Sequence, residues 1–282
     1  MKTLNFTLFL ALSILTLPQG SFAQDKVNGP DIYQIAQNPK MRIAFDNDGG
    51  IAGTGVCWWH SRLQRSFWYL AKFDAKGAKP SQGDVSNIVS TLMDESAVVT
   101  IPGYENVYDF TKDNQATIQS MLNAWERKDT ISHPGKWIAG IFKKSSLAPN
   151  VMKGRMDQIY SAFQEAKQNN KIIFMRLKAT GGEGIHASLL YDMQPLEDGG
   201  YHIQAVDSNY AGEIISYEYK MGDVNLDPLQ GTVKRRSVLS AAGFVITANT
   251  ESNSTDYGSF FSWTPYLDSD DVDMDKIENA LK

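Results

Sequence analysis

The apolar pattern of this chain changes period once, near residue 170, and that change constrains the fold more than any other feature of the sequence. Before it, apolar residues recur at helical spacing. Over 57–73, Trp58, Leu63, Phe67, Leu70 and Ala71 fall near one broad face, with Arg62, Gln64 and Arg65 interspersed. A second amphipathic helix is expected over 81–93, between Pro80 and the Asp94-Glu95 pair. A third is expected over 111–127, capped by Thr111, with a stripe of Ile118, Met121, Leu122 and Trp125. A fourth covers 150–167, with Met152, Met156, Ile159, Tyr160 and Phe163 at helical spacing. Shorter elements precede these: a helix within 31–37 and a strand or extended arm over 41–45.

After residue 170 the segments 171–177, 185–191, 201–206, 213–219 and 242–247 read as strands. Turn signals separate them at Gly181-Gly182, Asp198-Gly199-Gly200 and Ala211-Gly212. The hairpin across 197–200 is the firmest local expectation. Helices first and strands later predict an α+β fold with an antiparallel sheet, not alternating α/β.

The first residues stand apart from this pattern. Met1-Lys2 is a short positive start, the stretch 4–17 is largely apolar, and Ser21-Phe22-Ala23 offers small residues where a signal peptidase reads. We expect a signal peptide over 1–23 and a mature chain from Gln24, exported to the periplasm or secreted. A retained anchor is the alternative, but the run is short for a bilayer. No later segment is long and apolar enough to span a membrane. The remaining 24–282 is long enough for one domain, with a helical lobe over about 45–168 and a sheet lobe over about 169–250. The formal net charge is −5, and loss of Lys2 makes the mature chain slightly more acidic. That balance argues against nucleic acid as the main partner.

Cys57 is the only cysteine. It cannot form an internal disulfide or supply a cysteine-rich metal site, so it is either a packed thiol or a nucleophile. It follows Gly53 and Gly55 and opens the aromatic run Trp58-Trp59-His60, which places it in the first turn of a helix. A helix N-terminus and an imidazolium partner both favour a thiolate. The base must come from elsewhere. His186 opens a strand about 130 residues downstream, near the separation seen in papain-type enzymes. Asp207 follows the next strand, and adjacent antiparallel strands would bring it beside His186 to fix the tautomer and hold the imidazolium. Taken singly, His186 reads as a satisfied histidine and Asp207 as a turn residue. Asn209 is the alternative orienting residue.

With these residues the chain resembles the papain-like cysteine peptidase superfamily, and within it the bacterial double-glycine-leader-peptidase-like branch. Cys57-Trp58 matches the nucleophile and its flanking tryptophan. His186-Ala187, in an apolar strand ending at Tyr191, matches the base strand. Asp207-Ser208-Asn209-Tyr210 is similar to the turn that carries the third member. The resemblance covers about 45–75 and 170–220, and implies a papain-like fold with Cys57, His186 and Asp207 as catalytic residues. It departs at one place. The glutamine expected six residues before the nucleophile is Ile51 here, which leaves Asn47 or Asp48 as candidate oxyanion donors, Asn47 being the better.

The implied chemistry is acyl transfer through a thioester, most simply an exported peptidase acting on a peptide or protein substrate, with no cofactor. Two alternatives stay open. The same triad serves a glutamine deamidase or transglutaminase-like acyltransferase, and the scaffold also serves as a secreted binding protein without activity. Other features point to plainer roles. His60 is expected to pack or hydrogen-bond at the cleft edge, and His133 and His202 to be structural or exposed. The four scattered histidines form no zinc motif, so no metal is expected. The glycines at 181–184 precede a strand, whereas phosphate loops open helices. The acidic run 268–275 lacks the glycine and glutamate of a calcium loop and reads as a lead-in to a short final helix. Arg62 and Arg65 read as exposed helix charges.

Overall fold

The computed structural model describes residues 29–47, 56–132, 148–179, 185–223, 226–228, 263–266 and 274–282. Helices dominate the first part, and one antiparallel sheet follows them. In chain order they are α1 (Ile32–Gln37), a 3-10 turn at Pro39–Met41, α2 (Val56–Leu70), β1 (Ala71–Asp74), α3 (Gln82–Asp94), β2 (Val99–Pro102), α4 (Val107–Asp113), α5 (Gln115–Ser132) and α6 (Pro149–Gln168). The sheet comprises β3 (Ile173–Ala179), β4 (Ile185–Pro195), β5 (Tyr201–Asp207), β6 (Ile214–Tyr219), β7 (Asp227–Pro228) and β8 (Trp263–Tyr266), and the chain ends in α7 (Asp275–Leu281). The expected α+β class is what the structure shows. The signal segment 1–23, Asp48, Ile51, His133, the 181–184 glycines and the 242–247 strand lie outside the described residues.

Local chemistry accounts for the element ends. The Asp31 carboxylate accepts from the Tyr33 and Gln34 amides and starts α1. Ser81 and Asp84 form a reciprocal capping box on α3, which satisfies amides that the first helical turn leaves without partners. The expected helix over 111–127 divides in two. Asn106, not Thr111, caps α4. The Thr111 hydroxyl lies inside α4, donates back to the Val107 carbonyl and accepts from the Ala44 amide. The segment 41–45 forms no strand. The helix begun at Val56 stops at Leu70, where the chain leaves as β1 and pairs in parallel with β2.

The sheet order is β7-β6-β5-β4-β3-β8. The β4–β5 hairpin turns where the spacing predicts. Gly199 has φ +82°, in the left-handed region, and a Cβ on Gly200 would sit 2.1 Å from the Tyr219 carbonyl oxygen. Only glycine fits that approach.

Apolar side chains gather in two clusters. One joins the sheet to α1 and α6 through residues such as Phe163, Phe174, Leu190 and Ile203. The other joins α2–α5 through residues such as Leu63, Phe67, Val89, Ile101 and Phe110. The last described segments return to both regions: β8 extends the sheet beside β3, and Met274, just before α7, and Ile277 of α7 enter the helical cluster. The sheet therefore reaches past the expected limit near residue 250. Helix α2 lies between the clusters, giving Trp68 to the first and Leu63, Phe67 and Leu70 to the second. It is buried on nearly all sides, including Gln64 and Arg65.

Candidate active site

The site forms where the start of α2 meets the ends of β4 and β5. Cys57 is the second residue of α2, in the turn whose backbone N–H groups lack intrahelical acceptors. Three sets of contacts fix this helix start. Trp58 packs on Phe174 of β3 with ring centroids 4.5 Å apart, and the Arg176 guanidinium lies 4.8 Å from the Trp58 ring centroid. Ser61 donates to the Ala187 carbonyl at 3.1 Å, which ties α2 to β4 beside His186. The arm before α2 is held by Gln64, which accepts from the Ile43 amide at 2.7 Å and donates to the Met41 carbonyl at 3.0 Å.

Sheet register places the other two members. Ser188 of β4 is the direct partner of Asp207 of β5, so His186, two residues before Ser188, is a diagonal neighbour of Asp207. His186 Nε2 lies 2.7 Å from both carboxylate oxygens of Asp207. A carboxylate can only accept, so Nε2 carries the proton and donates. The His186 ring also hydrogen-bonds the Cys57 side chain. With Nε2 on Asp207, Nδ1 is the nitrogen left for the thiol. The structure thus brings Cys57, His186 and Asp207 together, with His186 between the other two.

All three are nearly closed off from solvent: Cys57 and His186 are 8 % exposed and Asp207 is 3 % exposed. Burial opposes the imidazolium, but the Asp207 carboxylate and, after it, the Cys57 side chain outweigh that effect. The His186 pKa is held well above its ordinary value. Burial likewise opposes the Asp207 carboxylate. The His186 charge and three donors, namely His186 Nε2, the Asn209 amide and the Tyr217 hydroxyl, outweigh it and hold the Asp207 pKa below its ordinary value. The Asn209 amide donates to Oδ1 at 2.8 Å, and the Tyr217 hydroxyl donates to Oδ2 at 3.1 Å.

Its sequence position makes Asn47 a candidate oxyanion donor. Instead its Nδ2 group donates to Ser208 Oγ at 2.9 Å and to Asn209 Oδ1, and its backbone N–H donates to the Ser208 carbonyl at 2.8 Å. Both amide hydrogens therefore have acceptors in the turn after β5. Asn47 is a clamp on the Asp207 turn, because that turn presents two side-chain oxygens and a carbonyl within its reach. Asn209 meets Asp207 through its backbone, not its side chain. Trp58 faces β3 as described above.

His60 is buried, donates Nε2–H to the Phe45 carbonyl at 2.9 Å and packs edge-on against the Phe45 ring. Burial pushes its pKa down to about 4, so it is neutral at neutral pH. Together with Ser61, Gln64, Val206 and Asp207 it lines a small cavity. Arg62 and Arg65 are not exposed helix charges. Both bind the buried carboxylate of Glu95, at 2.9 Å and 2.7 Å. Among the described residues, no three His, Cys, Asp or Glu side chains gather as a metal site requires, and no helix is long and apolar enough to cross a membrane.

Sequence reasoning missed Tyr217. It lies on β6, paired with Ile203 in the register that also sets Ala205 against Ile215. An aromatic alternating with apolar residues on a strand reads as core, and nothing in its neighbourhood points to a carboxylate ten residues earlier. Comparison with protein-family models, curated proteins and solved structures gives no match for this chain.

Proposed function

We propose that this chain is an exported papain-like cysteine hydrolase, acting as a peptidase through a Cys57–His186–Asp207 thioester mechanism. One observation supports the reading: His186 donates to a buried carboxylate through Nε2 while the same ring bonds the Cys57 side chain. A histidine held only for packing has no need of both contacts.

In this mechanism the Cys57 thiolate attacks the substrate carbonyl carbon, and charge develops on the carbonyl oxygen. Backbone N–H groups in the first turn of α2 are suitably placed donors for that charge. The His186 imidazolium then protonates the leaving amine, the C–N bond breaks, and a thioester to Cys57 remains. Water adds to the thioester and gives its proton to the now neutral His186. The thiolate leaves, a carboxylic acid is released, and the imidazolium–thiolate pair is restored. Asp207 does not take the proton; it orients the ring and stabilises its charged form.

The test uses wild-type protein and Cys57→Ala with a peptide library and folded protein mixtures, with products read by mass. New termini that require Cys57 establish the peptidase. A gain of about one mass unit on glutamine, or a cross-link, reassigns the same triad to deamidation or acyl transfer. If no Cys57-dependent product forms, and a thiol-reactive electrophile does not label Cys57 at pH 6, the hydrolase reading fails.

A further inference from the structure

We infer that Tyr217 is a positioning residue of this site, one that fixes the Asp207 carboxylate in the plane that serves His186; this rests on the hydrolase reading. Each Asp207 oxygen has one contact to His186 Nε2 and one further donor. Oδ1 receives the Asn209 amide and Oδ2 receives the Tyr217 hydroxyl. The Asn209 donor belongs to the turn that Asp207 itself starts, so it moves with that turn. Tyr217 does not. It is 4 % exposed, and it stands on β6 in register with β5. It is therefore the donor that refers the carboxylate to the rigid sheet. Without it, the carboxylate can turn about its last side-chain torsion and keep only one fixed oxygen.

The charges and titrating groups around Asp207 are few. His186 faces it from β4 and Tyr217 from β6. His60 of α2 interacts with it by charge only when protonated, while Cys57 contacts His186. Asp46 acts on His60, and Tyr210 acts on Tyr217. Burial and the Asp207 charge both keep the Tyr217 phenol protonated, so it remains a donor. Removing that donor has one sign for Asp207: the carboxylate becomes easier to protonate.

The experiment is a carbon NMR titration of the Asp207 carboxyl in the full chain, assigned by its loss in Asp207→Asn. In Tyr217→Phe, which keeps the ring and removes the hydroxyl, the Asp207 midpoint should rise by about one pH unit. A purely structural role for the ring predicts no rise, and an unchanged midpoint in a folded variant overturns the inference. If Tyr217→Phe does not fold, the reciprocal measurement decides. The Tyr217 phenol should ionise at lower pH in Asp207→Asn than in wild type, and an equal midpoint overturns the inference. Electrophile labelling of Cys57, read in parallel, separates the two claims. A shifted midpoint without labelling removes the hydrolase and keeps the coupling. Labelling with an unshifted midpoint removes only the role of Tyr217.

Discussion

Two buried charge clusters lie along α2. At its start, His186 sits between Asp207 and Cys57. Farther along, Arg62 and Arg65 hold Glu95, and Arg65 stacks 4.6 Å from the Phe174 ring centroid. The acidic member of each cluster is buried, and both clusters join α2 to another element. They differ in what the cation can do. An arginine does not give up its proton within a protein, so it cannot pass one to a neighbour. A histidine gives up its proton, and here it sits against a sulfur that can use one. Burial and ion pairing alone therefore do not tell a cluster that can exchange a proton from one that cannot. Glu95 also takes φ 52°, a left-handed conformation uncommon for a non-glycine residue, at the end of α3. Its two guanidinium bonds explain why a large acidic side chain is kept there.

The contrast can be broken by substitution, and the largest effect belongs to the pair itself. Cys57→Ala should lower turnover by about 10⁴-fold or more with little change in the thermal melt; His186→Ala should lower it as far and also lower the melt, because it leaves the buried Asp207 carboxylate without its partner. Equal turnover in His186→Ala would place the base elsewhere. Glu95→Gln should do the reverse. It leaves the buried Arg65 guanidinium and the partly exposed Arg62 guanidinium without their counter-charge and should destabilise the fold by about 3 kcal/mol in denaturant, with turnover of the folded protein unchanged. A loss of turnover without a loss of stability would give the Glu95 cluster a functional role.

Asp207→Ala comes next, with turnover reduced by about 10²–10³-fold, less than in serine triads because a thiol ionises more readily. Asn209→Ala should cost much less, because Asn209 reaches Asp207 through its backbone amide, which alanine retains. Equal losses in the two variants would shift the orienting role towards the turn as a whole.

A smaller effect is expected from pH, and it separates two buried histidines near Asp207. The His60 pKa is lowered from 6.5 to about 4, so the unfolded chain binds more protons between those values. Stability from this source is present above pH 6.5 and falls as pH drops towards 4, by about 3 kcal/mol. The His186 pKa is raised. Its contribution is full below pH 6.5 and fades as pH rises through the folded value. Replacing His60 by glutamine should flatten the acid side of the stability profile, and replacing His186 should flatten the alkaline side. Denaturant midpoints measured from pH 4 to 9 check both, and matching changes in the two variants would contradict the opposed signs.

Much of the fold was legible because periodicity reports local structure. The helices within 81–93 and 150–167 and the four strands from residue 171 to 219 match the structure to within a few residues. The failures share a cause. The parallel β1–β2 pair and the β8 edge depend on contacts between distant segments, and no local pattern encodes them. Arg65 shows the same limit at one residue. A charge interspersed on an apolar helix reads as exposed, but Glu95, thirty residues later, provides for its burial.

For the site, sequence alone determined which side chains have the right chemistry: one thiol at a helix start, a histidine opening a strand and an aspartate closing the next. Their residue types and the short-range propensities around them are local properties. Only the tertiary structure decided how they meet. The antiparallel register sets His186 diagonal to Asp207, and the packing of α2 between two apolar clusters carries Cys57 to the ring. The same register brings Tyr217 to the carboxylate, while the arm before α2 turns Asn47 into a clamp. Hydrogen bonds of this kind act over a few ångströms between segments far apart in the chain, so their partners are fixed by sheet register and core packing rather than by sequence neighbours.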